Sequence, residues 1–167
     1  MPILSTGSKG VAIALAAACM GAGAAHAADC WTQAGSEYRI DPLLLYSIAK
    51  VESALDPKAF NRNRDGSYDI GLMQINSTHL PGLMASGVTR ERLMCEPCSA
   101  IHAGAQILAG FINRFGYNWE AVGAYNAGSA SDREPLRKAY AAKVWREYRK
   151  LTMLRAQRRR QQAAAGE

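Results

Sequence analysis

The sequence has no apolar run long enough to cross a bilayer, no internal repeat, no regular glycine period, and only four cysteines in 167 residues. Its longest apolar stretch, Val11 to Met20, is ten residues, against the roughly 20 that a spanning helix needs. A collagen-like chain is excluded by the missing glycine period. A wholly disordered one is excluded by a 49% hydrophobic and only 20% charged composition. At this length there is no room for two large domains, so a single core is expected. Metal-ligand pairs are also scarce. Cys95-Glu96-Pro97-Cys98 is one closely spaced pair, with His102, Cys30 or His79 as the remaining candidates. The lack of a second close pair argues against a zinc site. The same C-x-x-C spacing lacks the preceding strand pattern of a thioredoxin-type redox centre. Acidic residues are in deficit, 14 Asp and Glu against 20 Lys and Arg, for a formal net charge of +6.

The N-terminus carries the three parts of an export signal. Lys9 is the only charged side chain in residues 1–27, the apolar run follows, and small residues end in Ala25-His26-Ala27. Residues 1–27 are therefore predicted to be a signal peptide and the mature chain to begin at about Ala28, without a transmembrane segment. Ala16 stands where a lipoprotein signal usually has a large aliphatic residue, which argues against Cys19 as a lipid attachment site. Export implies a periplasmic, oxidising compartment and makes nucleic acid the least favoured partner despite the positive charge. Cys30, Cys95 and Cys98 then remain, an odd number. One structural disulfide is expected, from Cys30 to Cys98 or Cys95, closing a loop whose chain-entropy contribution is about 4 kcal/mol.

Along the mature chain, Asp41-Pro42 reads as a helix cap with proline in the first turn, and Leu44, Leu45, Ile48, Val51, Glu52 and Leu55 follow at helical spacing until Pro57. Residues 61–76 are rich in Asn, Asp and Gly, with Asp65-Gly66 as a tight-turn signal, and predict a loop or small hairpin. After Pro81 and another polar turn comes a second apolar stripe of Ile101, Ala105, Leu108, Phe111, Ile112 and Phe115. Trp119 to Tyr125 predicts a further helix, capped by Asn118 and stopped at Gly128. Leu136, Tyr140, Val144, Tyr148 and Leu151 then mark a last helix running into Arg158-Arg159-Arg160. The pattern is mainly α, with one small β-hairpin or irregular β element on a single domain.

Glu52 lies on the apolar stripe of its own helix, four residues after Ile48 and seven after Leu45. A carboxyl group held against apolar neighbours has its ionised form disfavoured, so it can stay protonated near neutral pH and act as a general acid. Two segments keep it unusual company: Gly71-Leu72-Met73-Gln74-Ile75-Asn76 after the turn, and Ala124-Tyr125-Asn126-Ala127-Gly128 at a helix end. Amides and a phenol suit sugar hydroxyl and acetamido groups, since they exchange hydrogen bonds without adding charge. Glycosidases usually need a second carboxylate. Asp65 and Asp69 are the candidates, and both read more simply as turn formers.

In this order and spacing, Glu52-Ser53, Gly71-Leu72-Met73-Gln74 and Ala124-Tyr125-Asn126-Ala127-Gly128 resemble the three motifs of lytic transglycosylases with a goose-lysozyme-like catalytic domain. The likeness is greatest to small exported enzymes of type III and type IV secretion, conjugation and pilus systems. It extends over roughly residues 30–148, with Asp29-Cys30-Trp31, Pro97-Cys98 and Tyr140-Ala141-Ala142-Lys143-Val144 as further matching points. The resemblance implies a lysozyme-like catalytic domain over residues 28–150, a basic tail over 151–167, and Glu52 as the sole catalytic acid and base. By the same likeness Ser53, Met73 and Gln74 line the glycan cleft, Tyr125 hydrogen-bonds near the carboxyl, and Asn126 supports the sugar site. No cofactor and no metal are implied. The implied substrate is peptidoglycan, cut between N-acetylmuramic acid and N-acetylglucosamine to leave a 1,6-anhydro end, with components of a secretion or conjugation apparatus as partners. A lysozyme-type hydrolase on the same scaffold, and a peptidoglycan-binding assembly module without turnover, are the alternatives. The resemblance also implies a Cys30–Cys98 disulfide, which leaves Cys95 over.

The net charge is unevenly placed. Residues 143–167 hold eight basic and two acidic side chains, whereas residues 28–142 hold eleven basic and twelve acidic. The catalytic body is thus expected to be near neutral, and the basic character belongs to the terminal helix and its end.

Overall fold

The computed structural model describes residues 24–166, with side-chain environments from Asp29 onward. The predicted signal peptide lies outside the described residues except for its last four, which open the first helix. The chain is mainly helical, in the order α1 (Ala24–Tyr38), α2 (Pro42–Ser53), β1 (Phe60–Arg62), β2 (Tyr68–Ile70), β3 (Ile75–Asn76), α3 (Leu80–Met84), α4 (Arg90–Cys95), α5 (Pro97–Phe115), α6 (Trp119–Ala127) and α7 (Glu134–Ala165). Short 3₁₀ turns precede α3 and α7.

Helix α2 starts where Asp41 caps it, its carboxylate accepting the Leu43 amide at 2.9 Å, with Pro42 in the first turn. It buries Leu45 and Ile48 completely. The helical stripe predicted to reach Leu55 stops earlier. Ala54 and Leu55 take left-handed backbone angles, φ 54° and 72°, and the Ser53 hydroxyl, 2.7 Å from the Leu72 carbonyl, ties the helix end to the β region. Glu52 therefore sits one residue from the C-terminus of α2.

The β element is a three-stranded antiparallel sheet in the order β1-β2-β3, with Asn61 opposite Asp69 and Asp69 opposite Asn76. Strand alternation sends Ile70 and Ile75 into the core and leaves this Asn-Asp-Asn row on the other face. Gly66 (φ 86°) makes the β1-β2 turn. Gly71 (φ 69°) lies against α4, where a Cβ would collide with the Leu93 carbonyl.

Helix α5 packs against α1, α4 and α6, and α7 crosses both α2 and α6. Ile101, Leu108 and Val144 are fully buried at these contacts. The α6–α7 approach is close enough that a Cβ on Gly123 would meet the Arg137 backbone. Helix α1 had no counterpart in the hydrophobic pattern because its buried side is made of Cys30, Ala34 and Gly35, which carry little periodic apolar signal. The stretch around Pro81, for which the sequence pattern predicts no element, folds as α3, and the polar turn after it contains α4, with Thr89 as its cap. On α7, Leu136 is 57% exposed, and Arg137 (5% exposed) takes the inward position. The Arg137 guanidinium reaches the Ala130 carbonyl at 2.7 Å and Glu120 at 3.1 Å while covering the Phe115 ring. A long cation with its partners supplied by α6 and the preceding turn wins the inward side over an unpaired leucine.

Cys30 and Cys98 form a disulfide, with Cα atoms 5.4 Å apart, that staples α1 to the start of α5. The expectation that Cys95 is left over does not hold, since no described cysteine is free. Cys95 ends α4 only three residues before Cys98, so the short connection brings it to the same corner of the molecule.

Candidate active site

A groove of about 460 Å³ runs between the β-sheet and the α6 end, with Glu52 in its wall. It is polar: Asn63, Asp69, Gln74, Asn76, Tyr125 and Asn126 face it alongside Ile107 and Phe111 of α5. His79, Ile107 and Phe111 also line an adjoining hollow of about 440 Å³ that continues toward Arg114. The two lie side by side and share these three residues as lining.

Glu52 comes from the last turn of α2, and its Oε1 accepts a 2.5 Å hydrogen bond from the Tyr140 hydroxyl of α7. Burial pushes the carboxyl from the ordinary 4.5 up to about 7. The Tyr140 bond opposes that rise, the negative charge of Asp69 adds to it, and Asn126 and Lys143 counter it. Tyr140 is itself buried, and burial together with the nearby Glu52 charge holds its phenol well above its usual value. It therefore stays a donor throughout the range in which Glu52 titrates. Glu52 can exist in either protonation state near neutrality, the property needed to give and then take a proton.

The other residues singled out from the sequence separate into two groups. Gln74 and Asn126 line the groove, as does Tyr125. Gln74 is held at φ 45°, with its Nε2 donating to the Ala59 and Gly71 carbonyls at 3.1 and 2.9 Å, so Oε1 is the atom it has left for a ligand. Tyr125 donates to the Met73 carbonyl at 2.9 Å, so its bond fixes the loop beside the carboxyl; the phenol that bonds Glu52 is Tyr140. Ser53 and Met73 do not line the groove. The Met73 side chain is fully buried and occupies the space left by Gly104 on α5, which turns it beneath the loop. The Ser53 hydroxyl is engaged with the Ala49 and Leu72 carbonyls, a fastening role.

Asp65 and Asp69, set aside in the sequence as turn formers, differ. Asp65 does form the turn, binding the Ser67 amide and hydroxyl, which lower its pKa. Asp69 faces the groove with three amides on its carboxylate: Asn76 at 2.8 Å on Oδ1, and Asn63 at 3.1 Å and Asn61 at 3.3 Å on Oδ2. It stands in the sheet row described above, fixed from both neighbouring strands. Tyr140 and this amide cradle are the parts that sequence reasoning missed. Tyr140 stands on the apolar stripe of the last helix and among the matching points of the family likeness, but neither gives it a role; the further hint is that a buried phenol requires a hydrogen-bond partner. The histidines considered for metal lie apart: His102 pairs with Glu37 at 2.9 Å, and His79 sits at the groove edge with burial lowering its pKa. Among the described residues no cluster of His, Cys, Asp and Glu could hold a metal ion, and no helix is long and apolar enough to cross a membrane.

Residues 29–147 match the family described as Transglycosylase SLT domain. The chain is 49% identical over 130 residues to Invasion protein IagB of Salmonella typhimurium (strain LT2), covering 78% of this chain and 81% of that protein. It is 43% identical over 121 residues to Protein IpgF of Shigella flexneri, covering 72% and 80%. It is 39% identical over 132 residues to a Peptidoglycan-binding-like protein of Escherichia coli O157:H7, covering 75% and 79%.

Proposed function

The chain belongs to the transglycosylase SLT domain family, and from that membership and the carboxyl in its groove we propose that it is an exported peptidoglycan lytic transglycosylase. The observation that carries the reading is Glu52, whose pKa of about 7 lets one group serve as acid and then base. Protonated Glu52 gives its proton to the glycosidic oxygen between N-acetylmuramic acid and N-acetylglucosamine, and the bond from that oxygen to C1 breaks. The carboxylate so formed takes the proton of the muramyl C6 hydroxyl as that oxygen bonds to C1. The product is a 1,6-anhydro ring, no water is consumed, and Glu52 ends protonated as it began. Tyr140 steadies the carboxylate in between, because its hydrogen bond strengthens when the acceptor is charged. Asn126, Tyr125 and Gln74 Oε1 provide neutral partners for sugar hydroxyl and acetamido groups, and the adjoining hollow past His79 offers room for further sugars. Glu52 as acid and base, and Gln74, Tyr125 and Asn126 as substrate contacts, are the residues this reading assigns.

The periplasm is the compartment this substrate requires. One relative is named an invasion protein, which supports local opening of the wall for a secretion, conjugation or pilus apparatus. The test is mass spectrometry of peptidoglycan treated with the purified protein: anhydro-muropeptides are expected, and Glu52→Gln abolishes them while the far-UV spectrum is unchanged. Folded wild-type protein that releases no muropeptide refutes the reading. Asp69 favours a second reading, a lysozyme-type hydrolase, because it places a second, firmly held carboxylate in the groove. Its products are heavier by one water and appear in the same spectra.

A further inference from the structure

The family match ends at residue 147, but helix α7 continues without a break to Ala165. The arm beyond the matched domain is about 27 Å long at ~1.5 Å per residue. Residues 148–166 contain six basic side chains and no acidic one. Lys150 pairs with Glu147, and Arg155 lies 4.0 Å from Asp41. Arg149, Arg158, Arg159 and Arg160 are exposed and form no ion pair among the described residues. The root of the arm is fastened to the body, since Tyr148 donates to the Asp41 carboxylate at 2.7 Å. Between this root and the start of α2 lies a hollow of about 470 Å³ lined by Leu43, Leu151 and Leu154 together with Arg155, Arg158 and Arg159.

We propose that this arm is a second binding surface, for the carboxylate-bearing peptide stems of peptidoglycan, which tethers the protein to the polymer whose glycan enters the groove. Arginine rather than lysine dominates, and its planar guanidinium suits two-point contact with carboxylates. Leucines and arginines lining one hollow fit a short peptide in which small aliphatic side chains alternate with carboxylates. A bilayer is the poorer match. An interfacial helix needs its charges gathered opposite an apolar face, whereas three consecutive arginines, at about 100° per residue, spread the charge around this one. Tyr140 touches Glu52 in the groove, and Arg158 lies 18 residues further along the same helix. The arm thus adds affinity and leaves the chemistry to the groove.

The proposal rests on the lytic reading only for its choice of polymer, and the experiment separates the two by using protein that cannot turn over. Glu52→Gln protein is co-sedimented with insoluble peptidoglycan at low and high salt, alongside the same protein carrying R155Q, R158Q, R159Q and R160Q. Glutamine matches arginine closely in helix propensity, and truncation after Lys150 serves as the second variant should the quadruple change alter the far-UV spectrum. Removing four exposed charges is expected to weaken binding about tenfold at low salt, each contributing little alone. High salt should bring the parent down to the variant, and so should enzymatic removal of the peptide stems from the glycan. Equal binding by parent and variant overturns the proposal. So does parent binding that survives loss of the stems, or that is tighter on phosphatidylglycerol vesicles than on peptidoglycan.

Discussion

Replacing Glu52 by Gln should make the protein more stable at alkaline pH and no more stable in acid. The carboxyl titrates at about 7 in the folded protein against an ordinary 4.5, because the folded site withdraws it from water. The folded state therefore holds the proton more tightly than the unfolded chain between those values, and stability falls as pH rises through that window. At ~1.36 kcal/mol per pH unit the full cost of an ionised Glu52 is about 3 kcal/mol, reached above pH 7 and absent below pH 4.5. Glutamine has no charge to lose and keeps an oxygen for the Tyr140 hydroxyl, so it escapes the cost. For a domain of this size the gain corresponds to a melting temperature raised by about 6–12 °C at pH 8. Thermal unfolding of both proteins at pH 4 and pH 8 provides the comparison. A wild-type-to-variant gap of the same size at both pH values would falsify the claim that burial drives this carboxyl's high pKa.

Four further outcomes follow from the geometry described above. Tyr140→Phe keeps the ring but removes the donor to Glu52. The alkaline limb of kcat/KM should then move up by ~1–2 pH units, the equivalent of one hydrogen bond to a charged group. Asp69→Asn removes a charge that raises the Glu52 pKa, so the limb should move the opposite way, and pH–rate profiles of the two variants check the opposed signs. Gly123→Ala drives a methyl into the Arg137 backbone and should cost about 3 kcal/mol in urea unfolding. Gly110→Ala, which has open space around it on α5, should instead stabilise by about 1 kcal/mol.

The helices legible in the sequence are those whose apolar side is built from large residues. Leu45 and Ile48 marked α2, and Ile101, Ala105 and Leu108 marked α5, because burial of such side chains leaves a period in the chain itself. Asn118 announced the start of α6, and its side-chain Oδ1 does accept the Glu120 and Ala121 amides. Helix α1, which buries a cysteine, an alanine and a glycine, left no such trace. Short α3 and α4 were hidden behind Pro81 and polar residues.

At the candidate site the same boundary appears. Local sequence was enough to single out Glu52 as a carboxylate on an apolar stripe, an anomaly visible within one helix, and the three motifs together singled out Gln74, Tyr125 and Asn126 through the family likeness they carry. Whether a motif residue meets the groove or the core depended on what lies opposite it. Met73 turned inward because Gly104, 31 residues away, leaves it room, and Ser53 was claimed by the Leu72 carbonyl. The partner of Glu52 is 88 residues distant, and the cradle of Asp69 depends on strand register. The sequence determined which groups are present and which local segments carry them. Only the tertiary structure decided which phenol bonds the carboxyl and how far burial raises its pKa, because hydrogen bonding and desolvation depend on neighbours that chain order does not place.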